Sequence, residues 1–127
     1  MDKVKAVIED AGVYKISDLF TRKPFGLKIN ETDAIVVTAK TEEGDRMVTR
    51  TFYFCLKPDG TFYEESIARD PSRARRRRLA SFLRHYKLAR DVKSYNIKKR
   101  IGEWRGVPVE VIPVEKDGIK DAIIYVP

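Results

Sequence analysis

Arg73, Arg75, Arg76, Arg77, Arg78 and Arg84 stand in one short block, RARRRRLASFLRHYK, which Lys87 closes. A guanidinium never loses its charge and offers a planar fork of donors, so such a block is suited to phosphate. Residues 69–100 carry a formal +11 (13 cations against 2 acids), while the remainder comes to −4 (13 against 17). The net charge of +7 is therefore one cationic element on a mildly acidic body. A concentrated cationic surface most often meets a polyanion, which predicts nucleic acid, DNA or RNA, as the partner.

Drawn as a helix at about 100° per residue, the block places Arg73, Arg76, Arg77, Arg84 and Lys87 in roughly a quarter turn. Leu79, Phe82, Leu83 and Tyr86 form the adjoining apolar stripe, and Ala80 leaves room for a phosphate to approach. Like charges this close destabilise an isolated helix by a few tenths of a kcal/mol per i,i+4 pair, a cost that stability alone would avoid. Lys98, Lys99 and Arg100 extend the cationic surface onto a second helix. Other destinations for this charge are the acids Glu42, Glu43, Asp45, Glu64 and Glu65 of the same chain, an acidic protein partner, or an anionic membrane surface.

Tyr53 and Phe62 fall on the polar face of the expected sheet beside Lys40 and several threonines, where rings can stack single-stranded bases. The plainer reading is that the later helices cover this face and make both rings core. No asparagine, glutamine and arginine grouping suited to base edges is present, so the expected recognition is of the backbone, with little sequence preference.

Catalytic signals are sparse. His85 is the single histidine and Cys55 the single cysteine; a strand thiol and a helix-flank imidazole have no reason in the sequence to meet. Too few Cys and His exist for a structural zinc site, and no glycine-rich phosphate loop occurs. Asp33, Asp45 or Glu110 with Lys40 would be the residues of a magnesium-dependent nuclease, the subordinate version of the nucleic-acid reading. No cofactor is expected.

The elements that must position these residues are fairly legible. Residues 2–11 read as a short helix, with Val4, Val7, Ile8 and Ala11 on one face and Gly12 to end it. Residues 34–41, 46–56 and 61–65 read as a three-stranded antiparallel meander rich in β-branched and aromatic residues. With Gly44-Asp45 as a two-residue turn, Ile35 faces Phe54, Val37 faces Phe52 and Thr41 faces Val48. Asp70-Pro71 opens the basic helix, and a second helix spans about 92–104, stopped by Gly106. Residues 107–114 and 119–126 form a hairpin around Lys116-Asp117-Gly118. The expectation is an α+β fold in two layers: helix, meander, two helices, hairpin. Two helices followed by a hairpin resemble the helix-turn-helix-plus-wing order of DNA-binding domains. Strands replace the upstream helix such domains carry, however, and the loop 88–91 lacks the glycine often found in that turn.

A chain of 127 residues with 43% hydrophobic and 35% charged residues predicts one domain over residues 1–127, with the basic helical element at 69–105. The charged start and the lack of any long apolar run predict neither a secretory signal nor a membrane span. A lone cysteine fits the cytoplasm. The absence of Gln, with only Asn30 and Asn96 and two methionines, suggests a thermophilic source. The apolar terminal strand, residues 122–126, offers an edge on which a second copy can pair to give a homodimer.

Overall fold

The computed structural model describes residues 3–22, 32–44, 46–62 and 73–127. Its first segment is not a helix but a strand, β1 (Val4–Lys15). Helical and strand periods are hard to separate over so short an apolar run. Val4, Val7 and Ile8 are β-branched and favour a pleated surface, and extension turns Ala6 and Ile8 into the core, each 1% exposed. Gly12 does not end the element.

β1 serves two neighbours. Its residues 4–7 pair with β4 (Pro108–Lys116), and its residues 6–15 pair with β2 (Asp33–Thr41). The register slips between Ile8 and Asp10, a bulge that bends the strand so one element can belong to both halves. β3 (Met47–Phe54) pairs with β2, and β5 (Ile119–Ile124) with β4, every pair antiparallel. The order β3-β2-β1-β4-β5 contains a Greek key. The outer strands then turn towards each other. Arg50 Nη1 on β3 donates to the Ile124 carbonyl on β5 at 2.7 Å, and Arg46 Nη2 lies 3.4 Å from Asp121 Oδ1. The sheet is thus a nearly closed five-stranded barrel.

This overturns the expected two-layer α+β arrangement of meander, two helices and separate hairpin. The hairpin exists, with Asp117 at φ 54° and Gly118 at φ 77° as its two-residue turn, but it continues the one sheet. Of the expected third meander strand the described residues show a bridge between Leu56 and Phe62; residues 63–72, with the rest of that strand and the Asp70-Pro71 cap, lie outside the described residues. β2 and β3 pair two residues away from the expected register, Ile35 facing Phe52 and Ala39 facing Val48. The connection is longer than two residues, with Thr41 N–H bonding the Arg46 carbonyl. An even slip keeps each side chain on its face, so Ile35, Val37, Ala39, Val48, Phe52 and Phe54 are core as expected.

Among the described residues three short helices join the sheet: α1 (Ile16–Leu19), α2 (Arg73–His85) and α3 (Ile97–Arg100). α2 lays Leu79, Phe82 and Leu83 against the barrel, Phe82 meeting Phe52 at 4.9 Å and Trp104 at 5.6 Å between ring centroids. The expected second helix over 92–104 is broken into a 3-10 turn at Val92–Ser94, α3, and a 3-10 turn at Ile101–Trp104. Asp91 caps its first turn and Asn96 breaks the run. Asp91 accepts from Lys93 N–H and the Ser94 hydroxyl. Asn96 accepts from Lys99 N–H at 3.0 Å while donating to the Asp59 carbonyl at 2.9 Å, which restarts the helix and ties it to the turn after β3.

Candidate nucleic-acid interface

The apolar stripe of α2 decides which of its cations reach solvent. Arg77, Arg78 and Arg84 are exposed. Lys87 is exposed too, but off the helical track: it ends the helix at φ 57°. Leu88 N–H bonds the Leu83 carbonyl and Lys87 N–H the Arg84 carbonyl, the paired bonds of a Schellman cap. Arg76 is only 5% exposed. It shares its side of the helix with Ala80, which is fully covered; so small a side chain lets the helix lean onto the protein there and takes Arg76 with it. Ala80 is therefore no doorway for phosphate. The side chain of Arg73 lies outside the described residues. The expected quarter-turn arc is divided, and Arg78, outside that arc, joins the exposed set. Arg78 also acts on Arg50: burial first, then the charge of Arg78, hold the Arg50 guanidinium below its ordinary pKa.

Lys98 and Lys99 stand on α3, in the short segment that the Asn96 cap restarts. The Asn96 cap sets α3 beside the turn after β3, where Lys98 N–H reaches the Gly60 carbonyl at 3.4 Å. Lys98 there lines a cleft of about 770 Å³ with Lys15 and Lys57, whose walls include Ile16, Phe20 and Leu56. Lys99 lines a second cleft with Arg90, Asp91 and Arg100. The floor of the first cleft is pinned by Asp33, a buried carboxylate that accepts from the Thr32 hydroxyl at 2.6 Å and from Leu56 N–H at 3.1 Å.

The two aromatic candidates separate. Phe62 is 1% exposed and meets the Phe54 ring edge-on at 6.1 Å between centroids, so it has no face for a base. Tyr53 is half-buried on the outer face of β3, opposite Ala34. On the other side of Ala34, β1 places Tyr14, 42% exposed. Tyr14 leans back across Gly12: a Cβ built there would stand 2.8 Å from its hydroxyl oxygen and 2.9 Å from its ring. A segment taken as a helix ending at Gly12 leaves Tyr14 in no element. The i, i+2 pairing of Gly and Tyr on a strand was the available signal.

The carboxylates considered for a nuclease do not gather. Asp33 and Lys40 stand near opposite ends of β2, seven residues apart or about 23 Å. Glu110 lies on β4, 3.8 Å from His85 Nε2, and Asp45 lies outside the described residues. Among the described residues no three His, Cys, Asp or Glu are grouped to hold a metal ion. His85 packs edge-on against Tyr86 and Tyr125, and Cys55 follows β3 half-buried. Among the described residues no helix is long and apolar enough to cross a membrane. Comparison with known proteins gave no matching family model, no matching curated protein and no matching solved structure.

Proposed function

We propose that the protein binds nucleic acid through its phosphate backbone, with Arg77, Arg78, Arg84 and Lys87 as the principal contacts. The observation that carries this reading is α2 itself, a thirteen-residue helix without one acidic residue. Its exposed side presents three guanidinium groups, and a lysine stands at its C-terminal cap. Four cations neutralising phosphates supply a sequence-independent, salt-sensitive affinity. Little base reading is expected with it: the chain has no Gln, and of its two Asn, Asn96 is committed to capping α3 and holding Asp59 while Asn30 lies outside the described residues. Partly open, five-stranded Greek-key barrels include oligonucleotide and oligosaccharide binders, an analogy of architecture that agrees with the reading without carrying it. A cytoplasmic setting, where Cys55 stays a thiol, fits as well.

The test is anisotropy titration of labelled duplex DNA and duplex RNA at about 50 mM salt. Wild type is compared with an Arg77→Gln, Arg78→Gln, Arg84→Gln variant, Gln being chosen because it keeps helix propensity. The expected result is binding that falls at least tenfold in the variant at an unchanged melting temperature. Equal affinities, or no binding to either duplex, would remove the reading and direct the same surface to an acidic protein.

A further inference from the structure

Tyr14, Ala34 and Tyr53 stand in one row across β1, β2 and β3. The next row is Lys15, Asp33 and Phe54. Successive residues of a strand point to opposite sides. The tyrosine row therefore lies on the outside of the barrel, while the second row, with Phe54 in the core and Asp33 buried, lies at its mouth. The outer surface and the mouth meet along a rim one residue thick. On the outside are two rings, Tyr14 exposed and Tyr53 half-buried, flanking a fully covered Ala34 and about 10 Å apart at their Cα atoms, twice the strand spacing, with Gly12 beneath Tyr14. At the mouth is the cleft lined by Lys15, Lys57 and Lys98. These lysines come from three separate segments, the end of β1, the turn after β3 and the start of α3.

We propose that this rim is a binding site for single-stranded nucleic acid, DNA or RNA, with bases stacked on Tyr14 and Tyr53 and phosphates drawn to Lys15, Lys57 and Lys98. The proposal rests on the nucleic-acid reading above but assigns a second surface and a different ligand form. Each half of the rim supplies one need of a single strand. The exposed Tyr14, with the half-buried Tyr53 beside it, offers ring surface that an unpaired base can use, and base–aromatic stacking is worth about 1–3 kcal/mol per base. A duplex buries its base faces and cannot use it. Three lysines converging on one cleft attract the phosphates on either side of a stacked base. Ile16, Phe20 and Leu56 line the same cleft, so its walls accept an apolar ring as well as the charge. Asp33 also lines the cleft; its carboxylate is buried and held by Thr32 and Leu56, and the three lysines outnumber it.

The experiment places a reporter on the rim. Trp104 is fully buried, so a Tyr14→Trp protein carries one solvent-exposed indole whose fluorescence reads stacking. Titration with oligo(dT) and oligo(U) of about 16 nucleotides, the upper range of such sites, is expected to quench it, and the stronger ligand identifies DNA or RNA. Adding Lys15→Ser and Lys98→Ser is expected to weaken both oligonucleotides at least tenfold while duplex affinity stays within twofold. Oligonucleotide binding without quenching, or binding unchanged by the lysine substitutions, would overturn the proposal. Duplex binding with no single-strand binding would overturn it while leaving the function above intact, and binding of neither would overturn both.

Discussion

Lys87 holds a left-handed backbone conformation that glycine adopts without cost. An L-residue there costs about 1–2 kcal/mol, and the Schellman bonds of Leu88 and Lys87 hold it in place. Lys87→Gly is therefore expected to raise stability by about 1 kcal/mol in urea unfolding while lowering duplex affinity; a variant gaining stability with no loss of binding would show that this cation is not a contact. Gly12 argues the reverse. Its backbone needs no glycine, but a Cβ would meet the end of the Tyr14 side chain, which can swing away. Gly12→Ala should leave stability within about 1 kcal/mol, since the stiffer unfolded chain offsets the displacement, yet weaken oligonucleotide binding by moving the ring; unchanged binding would count against Tyr14. At Tyr86 the hydroxyl donates to the Tyr125 carbonyl at 2.6 Å and accepts from Glu110 N–H at 3.3 Å, fastening β4 and the chain beyond β5 to α2. Burial raises its pKa above the ordinary tyrosine value. A raised folded-state pKa means the protonated phenol contributes its stability fully below the unfolded pKa, about 10, and loses it as pH climbs through the folded value. Stability should thus be flat near neutrality and fall in alkali, less steeply for Tyr86→Phe; an identical alkaline fall in that variant would contradict the assignment.

At the scale of elements, the sequence was most legible where one physical signal stood alone. The hairpin around Asp117-Gly118, the inward faces of β2 and β3, and the apolar stripe of α2 all follow from turn chemistry or period. Legibility failed where two signals competed. β1 reads as a helix because Val4, Val7, Ile8 and Ala11 follow the helical spacing, while the strand period rests only on Val4, Ala6 and Ile8; pairing with two neighbours selects the strand. The basic helix is plain in the sequence, but its orientation is not: nothing in RARRRRLASF says that the Ala80 side leans inward and removes Arg76. The break of 92–104 hangs on Asn96, whose partner Asp59 is far away in the chain. That cap has a measurable consequence. Asn96→Ala should cost about 1–2 kcal/mol, a cap plus a long-range hydrogen bond, and should weaken oligonucleotides as Lys98 loses its position. Gly60, at φ 91° with Asn96 Cγ 2.7 Å from where a Cβ would stand, locks the same junction.

For the whole molecule, the barrel is closed by side chains where backbone pairing stops. Arg50 occupies a core-face position between Val48 and Phe52, a cation the alternation of β3 should have flagged. Its guanidinium bonds the Ile124 carbonyl and lies 5.3 Å from the centroid of the Phe52 ring. Arg50→Leu should cost about 1.5–3 kcal/mol, the range for a hydrogen bond to a charged group; a loss below the error of chemical unfolding would mean that the seam contributes little to the fold. The two proposed contact sets, the cations of α2 and the lysines of the cleft, should be distinguishable by salt. Four phosphate contacts on a duplex give a log K against log salt slope near about −3.6, or roughly a 150-fold loss between 50 and 200 mM salt; three on a single strand give about −2, or roughly 20-fold. The most direct single measurement is the salt dependence of duplex binding by wild-type protein. A slope near −3.6 is the result expected if Arg77, Arg78, Arg84 and Lys87 each neutralise a phosphate, and a slope near zero, or no duplex binding at low salt, would contradict the assignment of α2 to nucleic acid.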